Sequence, residues 1–494
     1  MTSFHPCGVA YCLALLALPI ALPTQAEAFA PSRPSMVGKA VSLNERIIEL
    51  TLSDAVFLGL RDNRAIRSAY LERIAQKFDL RVEEDRFTPK LVLSGRHLAA
   101  RNQDDRYRQT EVIPQTTVQT RLGTRFSLSW SNQLTQADQA GRTRSDGATF
   151  TVIQPLLRGA GRDVATAPVR LARLGEQVNK LNLKATVSDT ITQIITSYRE
   201  VLRAQEQLQI ARDALERSRQ LLEANKVMIA AGRMAEFEIV QTEADVATQE
   251  LTVEEAANQL GSSRLELLRL LALDLHTQIH AADTLDAQRI DVGLAQALSA
   301  AQEQQPAYLT QLIATEQAAI NLTVARNDRL WDISLIGGAT QVRDRYPTDD
   351  GRATERTWEG YAGIQVDIPI GDLSRRQAEV RARVDIENQD IRLAEARQLL
   401  ERDVGDAVRD LATRWRQYEI AQRARDLSRR KLDIEREKLQ AGRSSNFQVL
   451  SFETDLRNAE NTRLNALIAY LNAQAILDQT LGTTLESWDI DLTD

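Results

Sequence analysis

The chain has 494 residues, room for two or three ordinary domains. Its 61 basic and 68 acidic residues leave a net charge of -7, which argues against nucleic-acid binding, a function that needs a basic surface. With 26% charged and only 5% aromatic residues, it is also no bundle of apolar membrane helices.

In chain order, Gly8 to Leu22 is an apolar run broken only by Pro19, and Ala26-Glu27-Ala28 follows with small residues at a cleavage position. Residues 1–28 therefore read as a secretory signal peptide removed before Phe29. Both cysteines, Cys7 and Cys12, lie inside it, so the remaining chain has no thiol for a disulfide framework. After it, no stretch approaches the roughly 18 apolar residues of a spanning helix. Leu265 to Leu275 comes nearest and is interrupted by Arg269 and Asp274. A membrane crossing by this chain would have to be a β-barrel.

Period-two segments follow. Phe126, Leu128 and Trp130 alternate with serines, Phe150 and Val152 with threonines, and Ile364, Val366, Ile368 and Ile370 with Gln365, Asp367 and Pro369. Ile333 and Leu335 flank Ser334, and Leu91 to Leu98 is a weaker candidate. Each reads as a strand with one apolar face. Polar connectors are expected at Asn102 to Gln109, Thr135 to Gly147 and Arg343 to Arg356. Segment 109–147 is longer than a simple loop, and Thr116 to Thr120 with Arg125 to Asn132 would make an extra hairpin around Gly123, either in the barrel or folded over its mouth. A soluble β-sandwich cap on a coiled coil is the alternative for these strands.

No proline occurs between Pro168 and Pro306, or after Pro369, and both stretches are rich in strong helix formers. Val187, Ile191, Ile194, Tyr198, Val201, Leu208, Leu215 and Leu222 fall at a/d-like spacing, as do Leu400, Val404, Ala407, Leu411, Trp415 and Tyr418. A helix from about Thr166 to Ala230 would be on the order of 100 Å long and would have to lie along other helices.

The chain repeats its plan. Ala231-Gly232-Arg233, Phe237, Glu243, Asp245 and Glu250 recur 210 residues on as Ala441-Gly442-Arg443, Phe447, Glu453, Asp455 and Glu460. Leu267 and Leu271 match Leu477 and Leu481, and Pro155 answers Pro369.

These features carry a resemblance. Leu50-Thr51-Leu52-Ser53-Asp54-Ala55 leads to Asp62-Asn63-Arg64, Gln154-Pro155-Leu156-Leu157-Arg158-Gly159 closes a strand, two Ala-Gly-Arg turns join paired helices, and Ala473 to Gly482 closes the second repeat. In this order they resemble the TolC-like outer-membrane efflux family over nearly the whole mature chain. The resemblance implies a mainly α fold with membrane β: long antiparallel coiled-coil helices forming a periplasmic α-barrel, plus strands given to a shared trimeric transmembrane β-barrel. It implies two repeats, 29–278 (strands about 90–157, helix hairpin about 166–275) and 279–494 (strands about 331–370, hairpin about 373–482).

The implied function is a passive outer-membrane exit duct of a tripartite efflux pump or type I secretion system, with no enzymatic step and no cofactor. Its expected partners are two further copies of the chain, outer-membrane lipid, and a periplasmic adaptor that leads to an inner-membrane pump. Gly232, Arg233, Phe237, Glu238, Gly442, Arg443, Phe447 and Gln448 would form the periplasmic tip that meets the adaptor. The plain reading of these residues is helix capping by the glycines, with Phe237 and Phe447 packed inside the hairpins. Leu439 stands where a gating tyrosine is sometimes found and Ser451 where an acidic ring residue can be, so gate residues do not carry over.

Other readings remain at this point. A periplasmic coiled-coil adaptor is one, although adaptors usually hold one helical hairpin between β halves; a secreted coiled-coil structural protein is another. His276 and His280, four apart, read as a solvated helix end and not as a metal site. Gly159-Ala160-Gly161 reads as a strand-to-helix turn in preference to a phosphate loop, and Trp331 and Trp488 as barrel-rim or packing residues.

Overall fold

The computed structural model describes residues 47–492 apart from 102, 104, 349 and 350, so the signal-peptide reading of 1–28 lies outside the described residues. Two short strands, β1 (Ile48–Leu50) and β6 (Ile279–Ala281), pair in parallel beside the middle of the helical region. Between them in sequence run α1 (Leu52–Asp62), α2 (Arg64–Glu84), β2 (Lys90–Arg101), β3 (Arg106–Gln119), β4 (Arg125–Ala137), β5 (Gly141–Pro155), α3 (Arg162–Ala165), α4 (Ala167–Ala230) and α5 (Glu238–Leu270). After β6 come α6 (Leu294–Gln304), α7 (Pro306–Asp328), β7 (Asp332–Thr348), β8 (Gly351–Asp367), α8 (Leu373–Gln440), α9 (Asn446–Leu481) and α10 (Thr484–Ser487).

The long helices match their sequence signals. α4 has 64 residues and α8 has 68, so at 1.5 Å per residue each is about 100 Å long. Each folds back into a shorter partner, α5 or α9, and α4 also lies against α9, which ties the two hairpins together. The buried stripe of α4 follows the expected positions through Val201 and Leu208. Beyond that it runs through Ala211, Ala214, Ser218, Leu221 and Asn225, while Leu215 and Leu222 are only half-buried beside it. The shift has a physical cause: two polar side chains, Ser218 and Asn225, occupy seam positions because each has a hydrogen-bond partner across the seam.

Around the short parallel pair sits the largest apolar cluster, with Val56, Ile66, Val187, Ile191, Ile194, Tyr198, Leu267 and Leu271 fully buried. Thr51 and Asp54 form a capping box at the start of α1. Tyr198 Oη donates to Asp283 at 2.7 Å, and burial first, then this bond, pushes its hydroxyl well above the ordinary value. Asn63 Nδ2 donates to the carbonyl of Leu270 (2.8 Å) and fixes the corner between α1 and α2. The Leu50–Ala55 motif thus ties the first helices to the middle of α4, and the Asp62–Arg64 motif ties them to the end of α5. Trp488 packs against this cluster, whereas Trp331 is exposed just before β7.

The main sheet corrects the expected strands in length. Six antiparallel strands form one sheet in the order β2-β3-β4-β5-β7-β8. The hairpin around Gly123 is β3–β4, and it is inserted in the sheet instead of folding over it. The strands continue well into the expected connectors, to Ala137, Thr348 and back from Arg106, Gly141 and Gly351. Apolar alternation ends earlier than the ladder does, because the distal ends are polar on both faces yet still hydrogen-bonded. Ile368 and Ile370 lie beyond β8. Pro114, inside β3, has no N–H, and the β3–β4 register skips it. Among the described residues no second sheet covers either face, so the sandwich alternative fails.

His276 lies in the turn before β6, and His280 lies in β6 against Gln205, so neither is on a helix. Gly159 (φ 76°) and Gly161 (φ 95°) form the turn from β5 into α3. That turn receives the β3–β4 loop: a Cβ on Gly123 would stand 2.3 Å from the carbonyl oxygen of Gly159.

Gly482 ends α9 in the left-handed region (φ 78°), and a Cβ there would approach the carbonyl oxygen of Gln304 to 2.5 Å. Gly482→Ala is expected to destabilise the chain by about 1–3 kcal/mol. Gly261→Ala, in the open middle of α5, is expected to stabilise by about 0.5–1 kcal/mol. Thermal unfolding followed by far-UV circular dichroism checks both signs.

Candidate functional site

Two surfaces stand out, one at each end. The first is the sheet. Side chains alternate along a strand, so the register assigns every residue to one of two faces. One face carries Leu91 and Leu93 of β2, Val112 and Pro114 of β3, and Phe126, Leu128 and Trp130 of β4. It continues through Ala148, Phe150 and Val152 of β5, Ile333, Leu335 and Ala339 of β7, and Trp358, Ala362, Ile364 and Val366 of β8. The other face carries Gln115, Thr117, Ser127, Ser129, Ser131, Thr149, Thr151, Thr340, Thr357, Glu359 and Gln365 at the same height. The apolar face is uncovered: Leu91, Leu128, Trp130, Leu335, Ile364 and Val366 are exposed, and Trp358 is 83% exposed.

The belt has defined edges. Trp130, Ala148, Gln341 and Trp358 lie in one row across four strands. Trp331 stands at the opposite end, immediately before β7. Ten residues separate Trp331 from Gln341, about 33 Å along an extended strand, or about 25 Å of height at the roughly 40° tilt of closed barrels. Membrane barrels have an apolar band of about 25 Å between aromatic girdles. The helices α2, α4, α7 and α8 all join the sheet at the Trp331 end, while the β2–β3, β4–β5 and β7–β8 connections lie at the other. β2 and β8 are the unpaired edges of this chain's sheet. Among the described residues, no helix is long and apolar enough to cross a membrane.

The second surface is the pair of helix turns at the far ends of α4 and α8. Gly232 (φ 67°) and Gly442 (φ 71°) each adopt the left-handed backbone. Gly232 N–H bonds Ile229 and Arg233 N–H bonds Met228; 210 residues on, Gly442 N–H bonds Leu439 and Arg443 N–H bonds Lys438. Both turns thereby satisfy the terminal carbonyls in the same way. They also meet, since the Arg233 guanidinium donates to the carbonyl of Gln440 at 3.3 Å. Phe237 is 77% exposed and Phe447 65% exposed, so neither packs inside its hairpin. Arg443 is exposed, while Glu238 and Gln448 are half-buried at the first turns of α5 and α9. Leu439 is buried with Leu221, Leu432, Val449 and Leu456. Between α4 and α8 a groove of about 450 Å³ is lined by Leu221, Val227, Met228, Arg233, Arg436 and Leu439.

Beneath the turns lies a polar seam that apolar periodicity does not reveal. Asn225 Nδ2 donates to Thr242 Oγ1 and to Asn446 Oδ1, each at 2.8 Å, and Asn446 Nδ2 donates to Thr242 Oγ1 at 2.9 Å. Asn225, Thr242 and Asn446 are all fully buried and join α4, α5 and α9. Further along, Arg217 of α4 reaches Glu453 at 2.9 Å and Glu460 at 3.7 Å on α9, and Arg436 also bonds Glu453. Burial pushes the Glu460 carboxyl up in spite of Arg217 and Arg429 beside it. The repeated acidic residues are therefore mostly structural. Arg219–Glu250 and Arg429–Glu460 form the same pair in each hairpin, 210 residues apart. That coincidence, a basic residue 31 positions before each acid, is the signal by which the sequence could have revealed these pairs. Deeper still, Arg199 donates to the carbonyl of Leu471 and faces Asp478; burial lowers the guanidinium to about 10 and raises the carboxyl.

No protein-family model and no curated protein matches the chain. Solved structures do match. The CmeC outer membrane channel of Campylobacter jejuni has a TM-score of 0.66 at 15% identity, covering 88% of this chain and 86% of its own. The open state of the MtrE outer membrane channel of Neisseria gonorrhoeae has a TM-score of 0.65 at 16% identity, covering 88% and 89%. The outer membrane protein VceC of Vibrio cholerae has 0.66 at 14% identity, covering 87% and 96%. The likeness is one of fold. This chain has the fold of outer-membrane channels, mainly helical with an antiparallel sheet at one end.

Asn446→Ala removes the acceptor and donor at the centre of the buried seam. It is expected to cost about 1–3 kcal/mol and to loosen the tip selectively. Hydrogen exchange should accelerate across 225–242 and 440–448 while the cluster around Tyr198 stays protected.

Proposed function

We propose that this protein is a passive exit duct across the outer membrane, the outer part of a tripartite efflux or type I secretion system. One observation carries the reading: a six-stranded sheet, with an uncovered apolar belt across one face and open at both edges, is rooted on helices about 100 Å long. The uncovered face suits lipid, and the polar face suits a water-filled lumen. Six strands cannot close by themselves, since the smallest membrane barrels have about eight. An open edge at membrane depth would leave a row of N–H and C=O groups without partners. The edges must therefore pair with other copies.

β2 and β8 run in opposite directions, so β8 of one copy meets β2 of the next antiparallel and the alternation continues around the ring. Three copies, the number implied by the resemblance to the TolC-like family, would pool eighteen strands from three sets of six. The helices would line the passage through the periplasm. The two repeats, 29–278 and 279–494, would each supply one long hairpin. Two of the fold relatives, CmeC and MtrE, are outer membrane channels, which supports this reading. The adaptor alternative is weaker, because it gives the uncovered apolar sheet no task. No catalytic step belongs to this reading, and energy for export would come from the inner-membrane pump.

At the tip, Gly232, Arg233, Phe237, Glu238, Gly442, Arg443, Phe447 and Gln448 would meet a periplasmic adaptor. Two exposed aromatic rings on capped turns are the kind of anchor that protein interfaces use. Phe237→Ala with Phe447→Ala is expected to leave thermal stability within about 0.5 kcal/mol, since both rings are exposed, while reducing recovery of the adaptor in cross-linking from whole cells. Unchanged recovery would remove these rings from the contact.

The duct reading itself is tested on the protein extracted from outer membranes in mild detergent. A mass of three chains, with discrete conductance steps after insertion into planar bilayers, is the expected result. A monomer in the soluble periplasmic fraction would overturn it.

A further inference from the structure

Beyond the tryptophan row the sheet continues for several residues, and there its two faces separate by charge. On the face that carries the apolar belt, the register places Arg343 opposite Arg356, and Arg345 opposite Arg144. Next come Arg142, Arg108 and Arg352, and at the β2–β3 end Arg101 opposite Arg106. Nine arginines and no lysine stand on this side. Asp146 is the one acid in the same strand rows, and among the described residues Arg144–Asp146, at 3.6 Å, is the one ion pair of this patch. The opposite face of the same strands carries Glu111, Asp344, Glu355 and Glu359, and its Arg96 is paired with Glu111 at 3.1 Å. Five of the six strands, all but β4, therefore carry arginines on one side beyond the apolar belt, with Asp146 the one acid among them, and the other acids lie on the opposite face.

We infer that this arginine belt binds the phosphate groups of anionic lipid in the outer leaflet. The inference rests on the duct reading, which turns the apolar face toward lipid. Continuity decides the occupant: Arg343 and Arg356 stand two residues beyond the tryptophan row and Arg345 and Arg144 four, at the height where lipid headgroups meet water. Charge complementarity decides its chemistry. Guanidinium groups hold phosphate with two parallel N–H···O bonds, which a lysine ammonium cannot do. Arginines in neighbouring rows and strands stand roughly 5–7 Å apart, close enough for several to share one doubly phosphorylated headgroup. An acidic lumen-side face opposite would keep the same lipid out of the passage.

The test uses the full-length protein in a neutral detergent, with bisphosphorylated lipid A as the probe, phosphatidylcholine as the neutral comparison and inorganic phosphate as competitor. Native mass spectrometry reads the retained lipid. The wild-type protein is expected to retain lipid A over phosphatidylcholine, with retention that falls as salt rises and is little affected by millimolar phosphate. The quadruple variant R343Q/R345Q/R352Q/R356Q should lose about ten-fold or more in lipid A affinity, and the opposite-face variant E355Q/E359Q should keep it.

If the quadruple variant misfolds, R343K/R345K/R352K/R356K keeps the charge and should still lose affinity, because the paired hydrogen bonds are gone. Equal retention of the two lipids by the wild type, or undiminished lipid A affinity in the glutamine or lysine variants, would overturn the inference. Full displacement by inorganic phosphate would overturn the lipid as the source. Conductance of the same preparation separates the two readings: a conducting protein without lipid selectivity sinks the belt alone, and a protein that forms no channel sinks the duct.

Discussion

Backbone groups placed at membrane depth have no water to bond, so each must find a partner in protein. If the sheet spans the outer membrane as proposed, that constraint bears on two strands of this chain. β2 and β8 leave the edges of the sheet open, while every interior strand is paired on both sides. Once the apolar face is turned to lipid, the pooling of strands between copies, the even strand number per chain and the antiparallel closure follow from those two edges. The inserted hairpin β3–β4 adds two strands without breaking this logic, because a hairpin always adds strands in antiparallel pairs and leaves the direction of the edges unchanged.

The helical part solves a different problem. A helix about 100 Å long has far more side-chain surface than a compact core can cover. α4 buries a narrow stripe against α5 and α9, and α8 one against α9 and α7, and many apolar residues, such as Leu427 and Ile434, stay exposed in the single chain. The seam is apolar near the short β1–β6 pair and becomes polar toward the turns. Asn225, Thr242 and Asn446 replace leucine-type packing there with hydrogen bonds that join α4, α5 and α9. Such groups set register more than they add stability, since any slip would leave them buried and unpaired. The adaptor contact proposed at this tip would need such a precise register. The Arg217–Glu453–Arg436 cluster extends the same control along α9.

The two ends are thus specialised by opposite means. At the sheet end, specificity lies in the sorting of apolar, acidic and basic side chains between faces. At the turn end, it lies in buried polar contacts between helices, with two aromatic rings left outside. Between them, the Tyr198–Asp283 bond holds the short strands against α4, and the Asn63 corner holds the first helices against the end of α5.

Much of this was legible in the sequence because its determinants are local. Helix length was set by the absence of proline and a sustained a/d pattern, strand existence by period-two alternation, and the two turns by glycine at a 210-residue interval. Tertiary structure alone decided what depends on partners distant in the chain. The strand ends were misjudged because Arg343 to Thr348 or Thr135 to Ala137 show no apolar alternation, yet the ladder holds them. The role of β3–β4 could not be read because a hairpin's own residues do not specify which strands flank it. Ser218 and Asn225 entered the seam in place of Leu215 and Leu222 because a buried polar side chain is stable only when its partner, here Asp245 or Asn446, stands opposite. The sorting of arginines to one face became visible only with the register, since alternation fixes two faces for each strand but not which faces coincide across six.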